Sequence, residues 1–266
     1  MTDGHDPAAA LADRLFAEHA DGRPFRRLRG ADRPASLEEG YRVQALLNRR
    51  FAEAGRGAPA GYKVGLTSEA IQTMYGSDQP ISGVVFESAV HRSPARIALS
   101  RYARLGIEFE LAVEVGDAFR PEDAPFTLDD AIARIGACMP AFELIEDRHA
   151  DHDDVDALSI LVDNAWCGGV VLGPRRADWR ALDLAGTPVS LRVNDGPPAT
   201  AVTGAAMGNP LNSLVWLANQ LASRGITLEA GMVVMTGSTL ATQFPATGDR
   251  FVYEIDGLGA VEAVIV

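Results

Sequence analysis

The segment Ile107-Glu108-Phe109-Glu110-Leu111-Ala112-Val113-Glu114-Val115 alternates strictly between apolar and mostly acidic residues. In a strand, successive side chains point to opposite faces. Glu108 and Glu110 would therefore share one face, about 6.5 Å apart along the chain. Two carboxylates at that separation can converge on one hard cation. Like charges side by side repel unless a cation or water screens them, so the pattern also fits a strand with its glutamates in water. Glu114 falls roughly 13 Å beyond Glu110 on that face and reads as surface. A second apolar run, Met139-Pro140-Ala141-Phe142-Glu143-Leu144-Ile145, carries a single Glu. Burying a lone carboxylate is costly unless it is paired or binds a metal; the alternative is a strand end where Glu143 reaches solvent. Lys63 stands in a short apolar stretch between Gly61 and Gly65. It could bind a substrate carboxylate or move a proton, or it could snorkel from a sheet edge.

Other polar stretches are less telling. Asp163-Asn164-Ala165 follows the apolar run Leu158–Val162 and fits an ordinary turn. Thr236-Gly237-Ser238-Thr239 follows Met232–Met235. A Gly/Ser/Thr loop there offers N–H groups and hydroxyls to an anion, or makes a tight turn. The chain has no GxGxxG or GxxxxGK[ST] stretch, so no nucleotide site is expected. His149 and His152 lie in an Asp-crowded stretch that reads as a polar loop rather than a transition-metal site. Cys138 and Cys167 are too few for a disulfide scaffold.

These residues need elements to hold them. Ala8–His19 and the stretch after Ser36 read as helices, the second opened by a capping box of Ser36 and Glu39 and ended by Gly55 and Gly57. The basic stretch RPFRRLRGADR between them reads as a solvated helix end or a subunit contact. From Gly61 the pattern changes to short β-like runs: Tyr62–Leu66, Ile107–Val115, Ala141–Glu146, Gly169–Leu172, Val189–Val193, Met232–Thr236, Phe251–Ile255 and Val261–Val266. Helices interrupt them at Leu128–Ile135, after a Thr127 cap, and at Pro210–Ser223. Many strands with few helices predict an α+β fold with a large β core. The expected division is a helical part over 1–60 and a β-rich body over 61–266.

Length and charge set outer limits. A chain of 266 residues fits one or two domains. A net charge of −12 argues against nucleic acid and anionic membrane surfaces as partners. The N-terminus shows no basic segment leading an apolar run, and no apolar run approaches the roughly 20 residues of a membrane span. A cytoplasmic protein is expected.

Seven stretches, taken in order, resemble the fumarylacetoacetate hydrolase superfamily in its branch of 2-oxopent-4-enoate hydratases and 4-oxalocrotonate decarboxylases. They are GYKVGLTS with the following DQP, IEFELAVEV, MPAFELIEDR, VDNAWCGGVVLG, GNPLNSLVWLANQLASRG, MVVMTGSTL and GDRFVYEIDGLGAVEAVIV. The resemblance implies a mixed β-roll-like core of the fumarylacetoacetate hydrolase C-terminal type with a small helical N-terminal part. It implies Mg²⁺ or Mn²⁺ held by Glu108, Glu110 and Glu143. It gives catalytic roles to Lys63, Asp78 and Ser238, and substrate contacts to Leu66, Gln79, Asp163, Trp166 and Thr239. Trp166 departs from the small residue common after Asp-Asn-Ala in the branch, which puts the far end of the substrate in question. A homo-oligomer is expected, as is a complex with a partner enzyme of the same pathway.

The implied chemistry is that of a small 2-oxo acid in aromatic catabolism. The first expectation is a hydratase. A 2-hydroxy-2,4-dienoate becomes its 2-oxo-3-enoate tautomer, and water adds at C4 to give a 4-hydroxy-2-oxo acid. The second is decarboxylation of a 4-oxalocrotonate-like diacid, which would need a cation for the distal carboxylate. Acylpyruvate C–C hydrolysis is third; it needs a base, and no histidine is an obvious candidate. Outside catalysis, the chain could be a silent partner subunit.

Overall fold

The computed structural model describes residues 6–266. Alternating apolar residues become two sheets. Seven strands form the first: β1 (Pro59–Gly65), β2 (Ile81–Phe86), β3 (Val90–Arg92), β5 (Leu105–Val115), β6 (Ile135–Glu146), β7 (Cys167–Leu172) and β10 (Val233–Ser238). Their order is β2-β1-β10-β5-β6-β7-β3. The second sheet has the order β4-β12-β11-β8-β9, built from β4 (Ala95–Ile97), β8 (Pro188–Val193), β9 (Ala199–Val202), β11 (Arg250–Ile255) and β12 (Gly259–Ile265). Parallel pairs (β1 with β10, β3 with β7, β4 with β12) sit among antiparallel ones, which makes the fold a mixed α+β type.

One set of apolar positions of β5 and β6 faces the second sheet. Phe109 and Phe142 meet edge to face at 5.8 Å, and Phe251 and Tyr253 lie 5.8–6.5 Å from them. Each buried aromatic contributes roughly 1.5–3 kcal/mol through loss of wet surface. The opposite face of the first sheet is also covered, by a smaller cluster that includes Ala112, Met139, Ala141 and Met235. The acidic side of β5 is therefore only partly wet: Glu110 is fully buried, while Glu108 and Glu114 are half-buried.

Helices α1 (Pro7–Ala20) and α2 (Leu37–Phe51) place Leu11, Leu15, Leu47 and Phe51 in the same core as the strands. The Ser36 side chain caps α2 at Glu39 N, but the Glu39 carboxylate reaches Ala35 N rather than closing the box. The complete capping box belongs to Thr127 and Asp130, ahead of α4 (Leu128–Arg134). The remaining helices are α3 (Glu69–Met74), α5 (Ala157–Val162) and α6 (Pro210–Ala222). The arginines of the basic stretch are not merely solvated. Arg27, Arg29 and Arg33 pair with Asp154 and Asp156 at the start of α5.

Candidate active site

The first sheet's register assembles the carboxylates. Glu108 on β5 stands directly opposite Glu143 on β6, and Ser238 on β10 stands opposite Glu110. One oxygen from each of Glu108, Glu110 and Glu143 lies within 4.8 Å of the others. Glu108 Oε1 accepts from Thr242 Oγ1 at 2.7 Å, and Glu110 Oε2 from Gly237 N at 2.7 Å. Gly237 has φ +109°, and a Cβ there would strike Thr67, so only glycine brings its N–H to Glu110. Among the described residues, no donor reaches Glu110 Oε1 or Glu143 Oε2, although both residues are fully buried. Such carboxylate oxygens are costly to keep ionised unless a cation meets them, and otherwise hold a proton. The donor set, all hard oxygen, suits Mg²⁺ or Mn²⁺. Burial, reinforced by Glu108, pushes the Glu143 carboxyl up to about 7, even against Lys63. Burial and the other two carboxylates push Glu110 well above the usual carboxylate range.

Lys63 lies in an interior strand, not at an edge, paired with Gly83 on β2 and Met235 on β10. Its Nζ sits 3.0 Å from Glu143 Oε1 with the side chain 6% exposed. Burial opposes the ammonium, but Glu143 and Glu108 outweigh it and hold Lys63 above its ordinary range. Lys63 is thus a cation fixed beside the carboxylates.

These groups open on a cavity of about 520 Å³. Lys63, Leu66, Glu108, Trp166 and Ser238 line it, with Glu110 and Glu143 buried beside them. The Ser238 hydroxyl is committed, accepting from Phe109 N and donating to Leu240 O. Much of the wall is apolar, including Ile71, Ile81, Ile145, Ile160 and Phe244. Among the described residues lining it, Lys63 is the one Lys or Arg.

Four further expected site residues also lie outside this lining. Asp78 is exposed and Gln79 half-buried in the turn before β2. Thr239 is turned into the core, where its hydroxyl donates to Phe109 O and meets Tyr253 Oη. Asp163 is spent on structure: both its oxygens accept from Arg148 Nη2 at 2.9 Å, and His19 Nε2 lies 2.7 Å away. Burial alone would raise the Asp163 carboxyl, but His19 and Arg148 hold it at about 2. The neighbouring Asn164 bonds both the N and O of Val84, so the Asp-Asn-Ala stretch is a clamp and more than an ordinary turn. Gly83 makes room for it; a Cβ there would collide with the Asn164 carbonyl. Asn164, Ala165 and Trp166 all have left-handed backbone, which places the Trp166 indole in the cavity wall.

Three lining residues escape a linear reading: Tyr75, Asp147 and His152. His152 Nε2 lies 3.0 Å from Asp147 Oδ2, and Nδ1 lies 3.1 Å from Tyr75 Oη. Burial, then Glu108 and Asp147, holds the Tyr75 hydroxyl above its ordinary range. The Asp-rich run and the lack of a metal spacing conceal these contacts, which join residues up to 77 positions apart. Cys138 and Cys167 are free, and burial pushes both thiols up to about 12.

Residues 63–266 match the family model described as fumarylacetoacetate (FAA) hydrolase C-terminal. The chain is 31% identical over 264 residues to 2-keto-4-pentenoate hydratase 2 of Dechloromonas aromatica (strain RCB), covering 99% of each protein. It is 29% identical to 2-hydroxyhexa-2,4-dienoate hydratase of Comamonas testosteroni, covering 94% of this chain and 97% of that one. Among solved structures, it resembles 4-oxalocrotonate decarboxylase from Pseudomonas putida G7, complexed with magnesium and adipate. That match has a TM-score of 0.88 and 29% identity, and covers 97% of each chain. The family match takes in all three glutamates together with Lys63, and the chain belongs to the fumarylacetoacetate hydrolase family.

Proposed function

We propose that this chain is a divalent-cation-dependent lyase that adds water to a 2-hydroxy-2,4-dienoate, by way of its 2-oxo-3-enoate tautomer, to give a 4-hydroxy-2-oxo acid. The observation that carries the reading is the pairing of buried, undonated carboxylate oxygens with a cavity whose wall is otherwise largely apolar. Mg²⁺ or Mn²⁺ held by Glu108, Glu110 and Glu143 would act as a Lewis acid toward the 2-oxo oxygen and the adjoining carboxylate. Lys63 balances the substrate's carboxylate charge and returns a proton to C3 as the 2-oxo group re-forms. The apolar wall holds the hydrocarbon tail and limits free water. Trp166 takes up space there and favours a short tail.

The likeness to a 4-oxalocrotonate decarboxylase supports a second reading. A diacid substrate needs a cation at its far end; among the described lining residues Lys63 is the one Lys or Arg, and Arg104, stacked on Phe244, is engaged with Asp147. Hydration therefore stands first. We also take the protein to be a homo-oligomeric cytoplasmic enzyme. No described helix is long and apolar enough to cross a membrane. The test is a panel of 2-hydroxydienoates and 2-oxo-enedioates assayed with Mg²⁺, following dienol absorbance and CO₂ release. Dienol loss with formation of the 4-hydroxy-2-oxo acid is expected. CO₂ release without hydration would make the decarboxylase reading the right one.

A further inference from the structure

Water addition needs a group that takes a proton from the attacking water. Lys63 is a poor choice, because it is an ammonium tied to Glu143. Glu108 belongs to the cation cluster. The other titratable side chains among the described lining residues are Tyr75, His152 and Asp147, joined by hydrogen bonds.

The partners fix the direction of that chain. Asp147 is 1% exposed and also takes the His149 N–H at 3.0 Å and Arg104 at 3.3 Å. A carboxylate so placed accepts only, so His152 Nε2 carries the hydrogen and Nδ1 presents its lone pair. Tyr75 Oη then donates to Nδ1 and keeps its own lone pairs for a further donor.

We propose that Tyr75 and His152, with Asp147 orienting the imidazole, form the route that takes the proton from the attacking water. This rests on the hydratase reading above. As the C4–O bond forms, a water O–H bond breaks and its proton passes to Tyr75 Oη. The tyrosine's own proton moves to His152 Nδ1, giving an imidazolium beside Asp147. The electron pair of C3=C4 shifts to leave an enolate at the 2-oxo oxygen. The enolate then takes a proton at C3. The His152 side chain is 40% exposed, so the imidazolium can return its proton to solvent.

The surroundings hold this route in place. Ala157 N donates to the Tyr75 carbonyl at 2.9 Å, tying the end of α3 to α5. The loop carrying His152 is clamped by the pairs of Arg27, Arg29 and Arg33 with Asp154 and Asp156. The Trp166 ring stands 5.6 Å from the imidazole. Pre-positioning of this kind is what general-base catalysis requires.

The test compares wild type, His152→Gln, Tyr75→Phe and the double variant in three measurements. These are hydration kinetics with Mg²⁺ and 2-hydroxypenta-2,4-dienoate, oxalate binding with Mg²⁺, and thermal melting. Gln keeps a donor for Asp147 but cannot take a proton. Each single variant should lose about 100-fold or more in kcat, the usual scale for general acid–base groups. KM, oxalate Kd and melting temperature should stay close to wild type. The double variant should fall little below the singles, because groups acting as one unit are not additive. A purely structural role would instead move Kd and melting together with kcat, and that result overturns the proposal. If His152→Gln does not fold, Tyr75→Phe alone decides, since it removes one hydroxyl. Variants hydrating within threefold of an active wild type would overturn the relay and leave the hydratase reading standing. A wild type that binds oxalate with Mg²⁺ but hydrates no dienoate would overturn both.

Discussion

Replacing Asp163 by Asn separates two roles for this residue. Asp163 is buried, and its two oxygens take both short bonds from Arg148, whose side chain is 2% exposed, with His19 at 2.7 Å. Asn preserves the shape and removes the charge, which leaves Arg148 without its counter-ion. Breaking a buried pair on one side costs about 3–5 kcal/mol. The pair also holds three consecutive left-handed residues, each roughly 1–2 kcal/mol above the right-handed backbone. For a chain of this size, the melting temperature should drop by roughly 6–12 °C. The pH dependence has a definite sign. The folded carboxyl, at about 2, lies below its ordinary value near 3.9. Its contribution, about 2–3 kcal/mol, is therefore present above about pH 4 and is lost as pH falls toward 2. The gap between wild type and Asp163→Asn should narrow by about 2–3 kcal/mol over that window. Urea unfolding from pH 7 to pH 2, alongside KM at pH 7, is the assay. A variant within about 1 kcal/mol of wild type at pH 7 with KM raised tenfold or more would refute the structural role and restore Asp163 to the substrate.

Lys63→Met should lower turnover at least about 100-fold while Mg²⁺ binding persists, read by kinetics and calorimetry on the same preparation. Trp166→Ala should raise kcat/KM for dienoates with longer apolar tails by roughly tenfold relative to the five-carbon substrate, at a stability cost of about 3 kcal/mol; unchanged selectivity would remove Trp166 from the tail pocket. Cation affinity should weaken as pH falls below about 7, because the Glu143 carboxyl, raised by burial and by Glu108, must then give up a proton. That same raised carboxyl stabilises the metal-free fold at low pH and stops doing so as pH climbs from about 4 through 7. Added Mg²⁺ should restore the lost stability at pH 8, as thermal melting would show.

The chemistry legible in the sequence was local or periodic. Alternation along Ile107–Val115 put Glu108 and Glu110 on one face, and the apolar company of Glu143 and Lys63 marked both as unusual. What periodicity could not say was that this face is covered by a second apolar cluster, since covering depends on partners remote in sequence. Asp163 drew attention beside the cavity-lining Trp166, yet its partners, His19 and Arg148, lie 144 and 15 positions away. The contacts among Tyr75, Asp147 and His152 depend on how α3 packs beside the loop before α5. Both helices have six residues, too short for a helical period to stand out. Strands β3 and β4, of three residues each, are hidden for the same reason. The helical pattern over Leu128–Ile135 overshoots by one residue, because the chain passes at Ile135 directly from α4 into β6.

Direct metal binding is the best test of the three-glutamate cation site. Wild type and Glu108→Gln/Glu110→Gln/Glu143→Gln should be titrated with Mn²⁺ and followed by electron paramagnetic resonance, with Mg²⁺ as competitor. One Mn²⁺ per wild-type chain, displaced by Mg²⁺ and absent from the folded triple variant, is the expected result. A wild type that binds no cation, or a triple variant that binds one as tightly, would contradict the claim.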